Sequence, residues 1–317
     1  LFRGIIICLI LVLSLVAFQF NKIKKQTLYF AVIGILLFDL LGISNRYISH
    51  DGFVSERFSK NAFQITEADR AILQDTSDFR VYEPQLGLTG ARTAYFHKTL
   101  GGYHGAKPRR FEELYQYYNT HQIEGVLDIL NVKYILFPEE QSGELKPMRN
   151  PNALGSAWFV KGIQWAKDPA AEMNALTTLN AKDTAVMNLA NQKSMSGLNG
   201  YDSAASIKLV SKSNDVLQYQ ANTKNTQLAV FSEIYYDKGW KAYIDNKETP
   251  ILKSNYLLRS IVIPAGSHTV KFEFKPESYY SNIIYAQICE WLSILLILIL
   301  IGTWVKEYNA KQNKELR

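Results

Sequence analysis

Cysteine is nearly absent from this sequence, with two in 317 residues, Cys8 and Cys289. Both lie inside apolar runs, so the polar middle of the chain has none with which to form a disulfide framework or a CxxC metal or redox pair. The cysteine content therefore does not reveal in which cellular compartment the polar middle of the chain lies, although a region without cysteine is compatible with an extracytoplasmic face.

Charged residues are nearly absent from the apolar runs near the two ends of the chain, and most of them lie in residues 45–282. The net charge is +6, and much of the basic excess lies beside the apolar runs, at Lys22, Lys24, Lys25, Lys306, Lys311, Lys314 and Arg317. A nucleic-acid-binding domain needs a concentrated basic face, so we expect no nucleic-acid partner. Lysines that flank apolar runs are typical of the cytoplasmic ends of membrane spans.

The longest apolar run is IIYAQICEWLSILLILILIGTWV, residues 283–305, with Glu290 as its one charge. At about 1.5 Å of rise per residue, this run is long enough to cross a bilayer. The alternative is a core helix, which usually stops after roughly 10 to 14 apolar residues. We therefore predict a transmembrane helix here, followed by a basic cytoplasmic tail at residues 306–317.

Two further spans are predicted at residues 4–20 and 27–44, joined by a short loop with three lysines. A signal peptide is the rival interpretation of the first run, but its basic residues follow the apolar stretch and no small-x-small cleavage site is present. With the lysines in the cytoplasm, residues 45–282 lie outside. The chain opens at Leu1 within an apolar run, so we expect it to be the C-terminal portion of a longer, multi-pass membrane protein.

Residues 45–200 mix helix and strand patterns, which predicts an extracytoplasmic α/β or α+β region. Thr66 and Asp69 suit the N-cap and N3 positions of a helix, Pro108 suits the start of RRFEELYQYYN, and Asp168 suits the cap of DPAAEMNALTTL. RVYE, KYILF and WFVKGIQW are predicted strands. Prolines and glycines within residues 139–157 predict a loop.

Residues 201–282 change to short alternating segments separated by turn residues. These segments are ASIKLVSKS, DVLQYQANT, TQLAVFSEIYY, WKAYIDN, YLLRSIVIP and HTVKFEFKP. They predict an antiparallel β-sandwich, with hairpin turns at residues 245–247 and 264–266.

Several stretches resemble one family, the YfhO-type bacterial membrane proteins. They are FDLLGISNRYIS, ARTAYFHKTLGGYHGAKPRRFEELYQYY, GVLDILNVKYIL and FSEIYYDKGWKAYIDNKETPILKSNYLLRSIVIPAGSHTVKFEFKPESY. The resemblance implies a glycosyltransferase-C-like protein of the bacterial cytoplasmic membrane. It also implies transfer of sugar from a polyprenyl-phosphate donor to a cell-envelope polymer at the outer face.

In such enzymes the catalytic carboxylate lies in a first external loop that this sequence does not contain, so the resemblance assigns no catalytic residue here. The alternative is a non-enzymatic envelope module that binds or presents a glycan or polymer. An acidic pair in the first external loop of the whole protein would favour the enzyme.

A basic, glycine-rich stretch at residues 92–110 is the strongest candidate binding site. Its polar members are Arg92, His97, Lys98, Tyr103, His104, Lys107, Arg109 and Arg110, placed around Gly101, Gly102 and Gly105. Glycines permit close backbone approach, and Arg and Lys supply donors for phosphate or a polar glycan. The alternative is a structural loop whose cations pair with Glu83, Glu112 and Glu113.

No metal, cofactor or nucleophile motif stands out. His97 and His104 are seven residues apart without a third ligand at metal spacing, so we predict no metal site and no cofactor. The stretch lacks the GxxxxGK[ST] pattern of a P-loop, and no Ser-His-Asp signature is readable.

Three smaller features complete the candidates. Asp39 and Glu290 are ionisable groups inside predicted spans, where they would line a reaction cavity, snorkel to the interface or pair with a cation on another helix. Tyr236 and Trp240, with Tyr235 and Tyr243, would stack on sugar rings or pack within the sandwich.

Overall fold

A computed structural model describes residues 2–48, 53, 55–56, 62–103, 105–123, 125–195 and 197–315. The chain divides into two compact units, Leu1–Gln64 and Ile65–Arg317, and each is described by itself.

The described part of the first unit contains two long helices. Helix α1 is Phe2–Gln19 and helix α2 is Lys25–Tyr47, and Asn21 adopts a left-handed backbone (φ 55°) in the turn between them. The segment Lys25–Asn45 of α2 is long and apolar enough to cross a membrane, whereas the apolar part of α1, Ile6–Gln19, is shorter. The predicted span at residues 4–20 therefore corresponds to a shorter apolar helix.

The second unit contains the remaining elements. Its helices are α3 Glu67–Leu73, α4 Ala91–Phe96, α5 Arg109–His121, α6 Gly125–Ile129, α7 Pro169–Ala175 and α8 Glu277–Glu315, with a 3-10 helix at Leu189–Met195. Its strands are β1 Arg80–Tyr82, β2 Val132–Pro138, β3 Leu145–Arg149, β4 Ala157–Phe159, β5 Gly162–Ala166, β6 Thr184–Asn188, β7 Ser206–Lys212, β8 Val216–Thr223, β9 Gln227–Ile234, β10 Trp240–Ile244, β11 Lys247–Thr249, β12 Leu252–Ser254, β13 Leu258–Ile263 and β14 Gly266–Phe274.

A three-stranded sheet in the order β1-β2-β3 begins the second unit, with β1 and β2 parallel. Helix α3 packs on it through Ala68 and Ile72, which join Val81 and Leu136 in a small core. The helix starts where predicted, because the Thr66 hydroxyl accepts from the Asp69 amide and the Asp69 carboxylate accepts from the Thr66 amide.

A β-sandwich follows, made of a five-stranded antiparallel sheet (β11-β10-β14-β8-β7) and a six-stranded sheet (β4-β9-β13-β12-β6-β5). Tyr219, Phe231 and Phe272 meet edge to face between the two sheets, with ring centroids 4.8 to 6.1 Å apart. Such aromatic pairs add to the stability that burial of apolar surface already supplies.

Strand β9 is buried on both faces, which explains its nearly continuous apolar sequence. Ala229 and Phe231 point into the core between the sheets, whereas Leu228 and Val230 join a second core on the other face. This second core includes Leu114 of α5 and neighbouring residues of α6 and α7. The six-stranded sheet therefore forms the middle layer, with helices on one face and the antiparallel sheet on the other.

The structure corrects three sequence-based predictions. The loop predicted within residues 139–157 contains strand β3, and Pro147 is tolerated there because β3 is an edge strand. The six-stranded sheet is mixed, since β5 and β6 pair in parallel, and it takes strands from both sides of residue 200. Residues 264–266 turn the chain from β13 in one sheet to β14 in the other, so they do not form a hairpin.

Helix α8 leaves the sandwich directly after β14. Its segment Glu277–Thr303 is the second helix that is long and apolar enough to cross a membrane, and none of it is buried within the described structure. This segment includes the run predicted as the last span.

Candidate functional site

Arg92 points into the protein, away from any open ligand site. Its side chain is largely buried on α4, where one guanidinium nitrogen pairs with Asp69 and the other lies 3.5 Å from Glu83. The hydroxyl of Thr93 donates to the same Glu83 carboxylate at 2.5 Å. A short charged network thus ties α4 to the start of α3 and to the residue after β1.

His97 is part of the same network. Its Nε2 lies 2.9 Å from Asp69 Oδ1, and 3% of its side chain is exposed. Burial alone would raise the pKa of Asp69, but the hydrogen bonds of this carboxylate with Thr66 and His97 and the Arg92 charge together hold the pKa below its ordinary value. Arg92 and His97 therefore share one ionised, fully buried carboxylate.

The glycines after His97 serve packing as well as chain reversal. A β-carbon on Gly101 would lie 2.6 Å from the backbone of Leu88, and the amide of Gly102 donates to the Leu88 carbonyl at 3.1 Å. The close backbone approach that these glycines were expected to allow a ligand is therefore made by the backbone of Leu88. Gly105 has open space around it and Tyr103 is 87% exposed, whereas His104 lies outside the described residues.

Arg109 and Arg110 begin α5 and point in different directions. Arg109 is 91% exposed and pairs with Glu113 at 2.8 Å. Arg110 is less exposed, donates to the carbonyl of Tyr256 at 3.1 Å, covers the Tyr256 ring and lies 3.7 Å from the buried Glu172.

The stretch 92–110 thus divides into separate groups. The structural alternative predicted that cations of this stretch pair with Glu83, Glu112 and Glu113. Arg92 does pair with Glu83 and Arg109 with Glu113, whereas Glu112 accepts a hydrogen bond from Gln116. The exposed polar members of the stretch are Lys98, Tyr103 and Arg109, and Lys107 is half-buried.

The candidate sugar-stacking aromatic residues lie on β10 and in the segment before it, and Trp240 packs against the sandwich. The guanidinium of the buried Arg259 stacks 3.8 Å from the centroid of the half-buried Trp240, and Phe274 packs against the same ring. Burial lowers the pKa of Arg259 to about 10, which still leaves it charged near neutral pH. Tyr236 remains 47% exposed, so it has a face available to a ligand.

Asp39 and Glu290 lie in different surroundings. Asp39 is half-buried on α2, and Glu290 is exposed on α8 within the segment long enough to span. Among the residues that the structure describes, no three His, Cys, Asp or Glu side chains come together as a potential metal site.

Lys98 lines a cleft that the sequence did not predict. The cleft encloses about 680 Å³ between the three-stranded sheet and strand β7. Its cations are Lys98, Lys133, Arg149, Lys208 and Lys212, and among the described residues Asp78 is the one carboxylate in its lining. Four of these cations were missed because they come from three strands far apart in the sequence, and only the sheet pairing brings them together.

Three comparisons with known proteins bear on identity. A family model described as bacterial membrane protein YfhO matches residues 172–285, from within α7 to the first turns of α8. This match confirms the resemblance to YfhO-type proteins. Searches of curated proteins and of solved structures returned no match.

Proposed function

From the match of residues 172–285 to the YfhO family of bacterial membrane proteins, we propose that this chain is an integral, multi-pass protein of the bacterial cytoplasmic membrane. In this proposal its β-rich portion lies outside the membrane, facing the envelope. Its function is the transfer of sugar from a polyprenyl-phosphate donor to an envelope polymer, with the catalytic groups supplied by parts of the protein beyond this sequence.

The structural observation that supports the membrane part of this proposal is the junction between the sandwich and α8. The chain passes from β14 to α8 through Lys275 and Pro276, and the Lys275 amide donates to the carbonyl of Gly239 at 2.7 Å. A β-carbon on Gly239 would lie 2.9 Å from Pro276 and 2.8 Å from the Phe274 ring, so backbone and rings are in close contact there. A span joined this directly to a folded domain holds the domain at a fixed height above the bilayer.

The distribution of charge supports the orientation. Lysines follow α1 and begin α2, and Lys306 follows the apolar segment of α8. Cytoplasmic flanks rich in lysine place the intervening region on the opposite side of the membrane. A second signal is aromatic: Tyr279, Tyr280 and Tyr285 are exposed in the first turns of α8, as expected for a belt at the membrane interface.

In this proposal the exposed members of the stretch 92–110 contact the donor phosphate or the acceptor. Arg109 is the best placed, because its side chain is open to solvent while its partner Glu113 also accepts from the Tyr256 hydroxyl at 2.5 Å. Glu113 is thus held whether or not Arg109 stays with it. Arg92 and His97 hold the loop in shape, and Tyr236 offers an aromatic face to a sugar ring.

A second candidate function is polymer binding without catalysis. It is favoured by the pairing of Asp69, Glu83, Glu113 and Glu172, because each of these carboxylates faces an arginine. Carboxylates engaged in this way stabilise the fold and leave cations and aromatic rings as the groups offered to a ligand.

Transfer can be measured with membranes that contain the full-length protein and a radiolabelled polyprenyl-phosphate-linked sugar. We expect label to enter the envelope polymer, and Arg109→Gln to reduce the rate about tenfold, as for loss of a charge-assisted contact worth about 1.4 kcal/mol. Arg70→Gln, which changes an exposed arginine on α3, is the matched control and should leave the rate unchanged.

If the wild-type protein transfers no sugar but retains the polymer in sedimentation, the binding function replaces the enzymatic one. Equal rates for the wild-type protein and Arg109→Gln would remove Arg109 from the site.

A further inference from the structure

We propose that the cleft between the three-stranded sheet and strand β7 binds a linear polymer that carries phosphate groups along its length. This assignment rests on the proposed function, because a transferase at the outer face needs a place to hold its acceptor. It adds a site that is separate from the stretch 92–110, with Lys98 as the one residue common to both.

Three of the five cations in the cleft are paired with carboxylates. Lys98 pairs with Asp78 at 2.6 Å, and Lys212 lies 3.3 Å from Asp78 and 2.7 Å from Glu233. Lys133 lies 2.5 Å from Asp75. These three lysines line the cleft in ion pairs, and carboxylates largely balance their charge.

The remaining two cations give the cleft its excess of positive charge. Arg149 at the end of β3 and Lys208 on β7 are both exposed, and within the described chain neither lies within ion-pair distance of a carboxylate. Arginine offers a fork of donors that matches a phosphate, and lysine adds a point charge. A concave surface with excess charge of one sign raises the local concentration of the opposite ion.

The carboxylates that pair with the cleft lysines stay ionised, so the pairs persist near neutral pH. Burial would raise the pKa of Asp78, but the hydrogen bond from Lys98 and the charge of Lys212 hold the pKa below its ordinary value. For Glu233, burial is likewise outweighed by the charges of Arg80 and Lys212. The paired lysines are therefore in place before any ligand arrives, which lowers the entropy lost on binding.

The size and lining of the cleft indicate a polymer segment. A volume of about 680 Å³ is within the range of ligand sites and far exceeds the needs of one phosphate ion. Between the cations the lining is mixed: Thr76, Ser156 and Ser211 offer hydroxyl groups, and Ile207 and Leu209 add apolar surface. Charges separated by hydroxyl groups complement a chain in which phosphates alternate with polar, hydroxyl-bearing units.

The test is direct binding by the full-length protein in nanodiscs of neutral lipid, with end-labelled short-chain inorganic polyphosphate as the probe. We expect binding that weakens as salt is raised, because association releases counterions from the polyanion. Arg149→Gln combined with Lys208→Gln should weaken binding about tenfold or more, since two charge-assisted contacts are lost. Arg149→Lys with wild-type Lys208 should retain most of the affinity.

The matched control removes the same charge outside the cleft, by Lys146→Gln on β3 and Lys247→Gln on β11. This control should bind as the wild-type protein does. Equal weakening by the two double variants, or no binding by the wild-type protein, overturns the proposal. Binding to anionic lipid vesicles without binding to polyphosphate would assign the cations to the membrane surface and also overturn it.

Inorganic phosphate alone is a further arm, and an affinity equal to that of polyphosphate would overturn the polymer assignment. Because binding is measured without any transfer reaction, the two proposals fail separately. Polyphosphate binding with no sugar transfer removes the transferase and leaves the site, whereas transfer without polyphosphate binding removes the site and leaves the transferase.

Discussion

The backbone amide of Lys275 donates a 2.7 Å hydrogen bond to the carbonyl of Gly239, where the last strand of the sandwich passes into α8. Gly239 has φ +112°, a conformation that residues with a side chain rarely adopt. The join between the folded domain and the apolar helix therefore depends on the absence of one side chain.

Gly239→Ala should destabilise the second unit by about 1–3 kcal/mol, because backbone strain adds to the clash with Phe274 and Pro276. Urea unfolding of the purified full-length protein measures the change. Gly105→Ala is the control, since a β-carbon there meets nothing within 4 Å, and it should change stability by about 0.5 kcal/mol or less. Equal losses for the two variants would show that the junction is not tightly packed.

Asp69→Asn should cost about 3 kcal/mol, because it leaves the guanidinium of Arg92 without its buried partner. The comparison is Glu67→Gln on the same helix, whose pair with Arg70 is exposed and should contribute about 0.5 kcal/mol or less. The folded-state pKa of Asp69 is lowered, so its stabilising contribution is present above its ordinary value of 3.8. The difference between the wild-type protein and Asp69→Asn should therefore shrink as pH falls through the lowered pKa, and a difference that does not change with pH would contradict the ion pair.

Arg80 connects the three-stranded sheet to the sandwich, and Arg80→Gln should cost about 2 kcal/mol. One of its nitrogens donates to the carbonyls of Leu130 and Ser232 at 2.9 and 2.8 Å, and the other lies 3.5 Å from Glu233. Arg109→Gln is the matched exposed arginine and should have little effect on unfolding. A smaller loss for Arg80→Gln than for Arg109→Gln would show that this connection is unimportant.

His268 should titrate above its ordinary pKa of 6.5, because its Nδ1 lies 2.6 Å from Asp245 Oδ2 and the protonated ring donates to that carboxylate. The contribution of the pair to stability is present below pH 6.5 and is lost as pH rises through the raised pKa. Histidine NMR titration of Asp245→Asn should show the His268 pKa lowered. Glu248→Gln removes a charge from the same hairpin and should leave this pKa nearly unchanged, so equal shifts in both variants would argue against a direct contact.

Signals between near neighbours in the sequence predicted much of the fold. The Thr66–Asp69 capping box, the Asp168 cap and Pro108 at the start of α5 are all observed, because a cap acts within one turn of the chain. The alternating segments after residue 203 became strands, and Asp245 and Asn246 form the expected hairpin turn with left-handed backbones.

Contacts between residues that are far apart in the sequence could not be predicted from local sequence patterns. Arg110 meets Tyr256 and Arg80 meets Glu233 only because the strands pair as they do. The cleft was missed for the same reason, since Arg149 and Lys208 lie on separate sheets. Strand β3 was missed because Pro147 and its exposed neighbours resemble a loop, and an edge strand tolerates both.

The central claim is that the β-rich domain lies across the membrane from the tail that follows the span of α8. Site-directed labelling tests it in intact cells, with Cys8 and Cys289 replaced by Ser and a single cysteine introduced by Ser203→Cys in the domain or Asn309→Cys in the tail. Both positions are exposed. A membrane-impermeant maleimide should label Ser203→Cys in intact cells and Asn309→Cys only after permeabilisation. Labelling of Asn309→Cys alone in intact cells, or of both positions, would contradict the account.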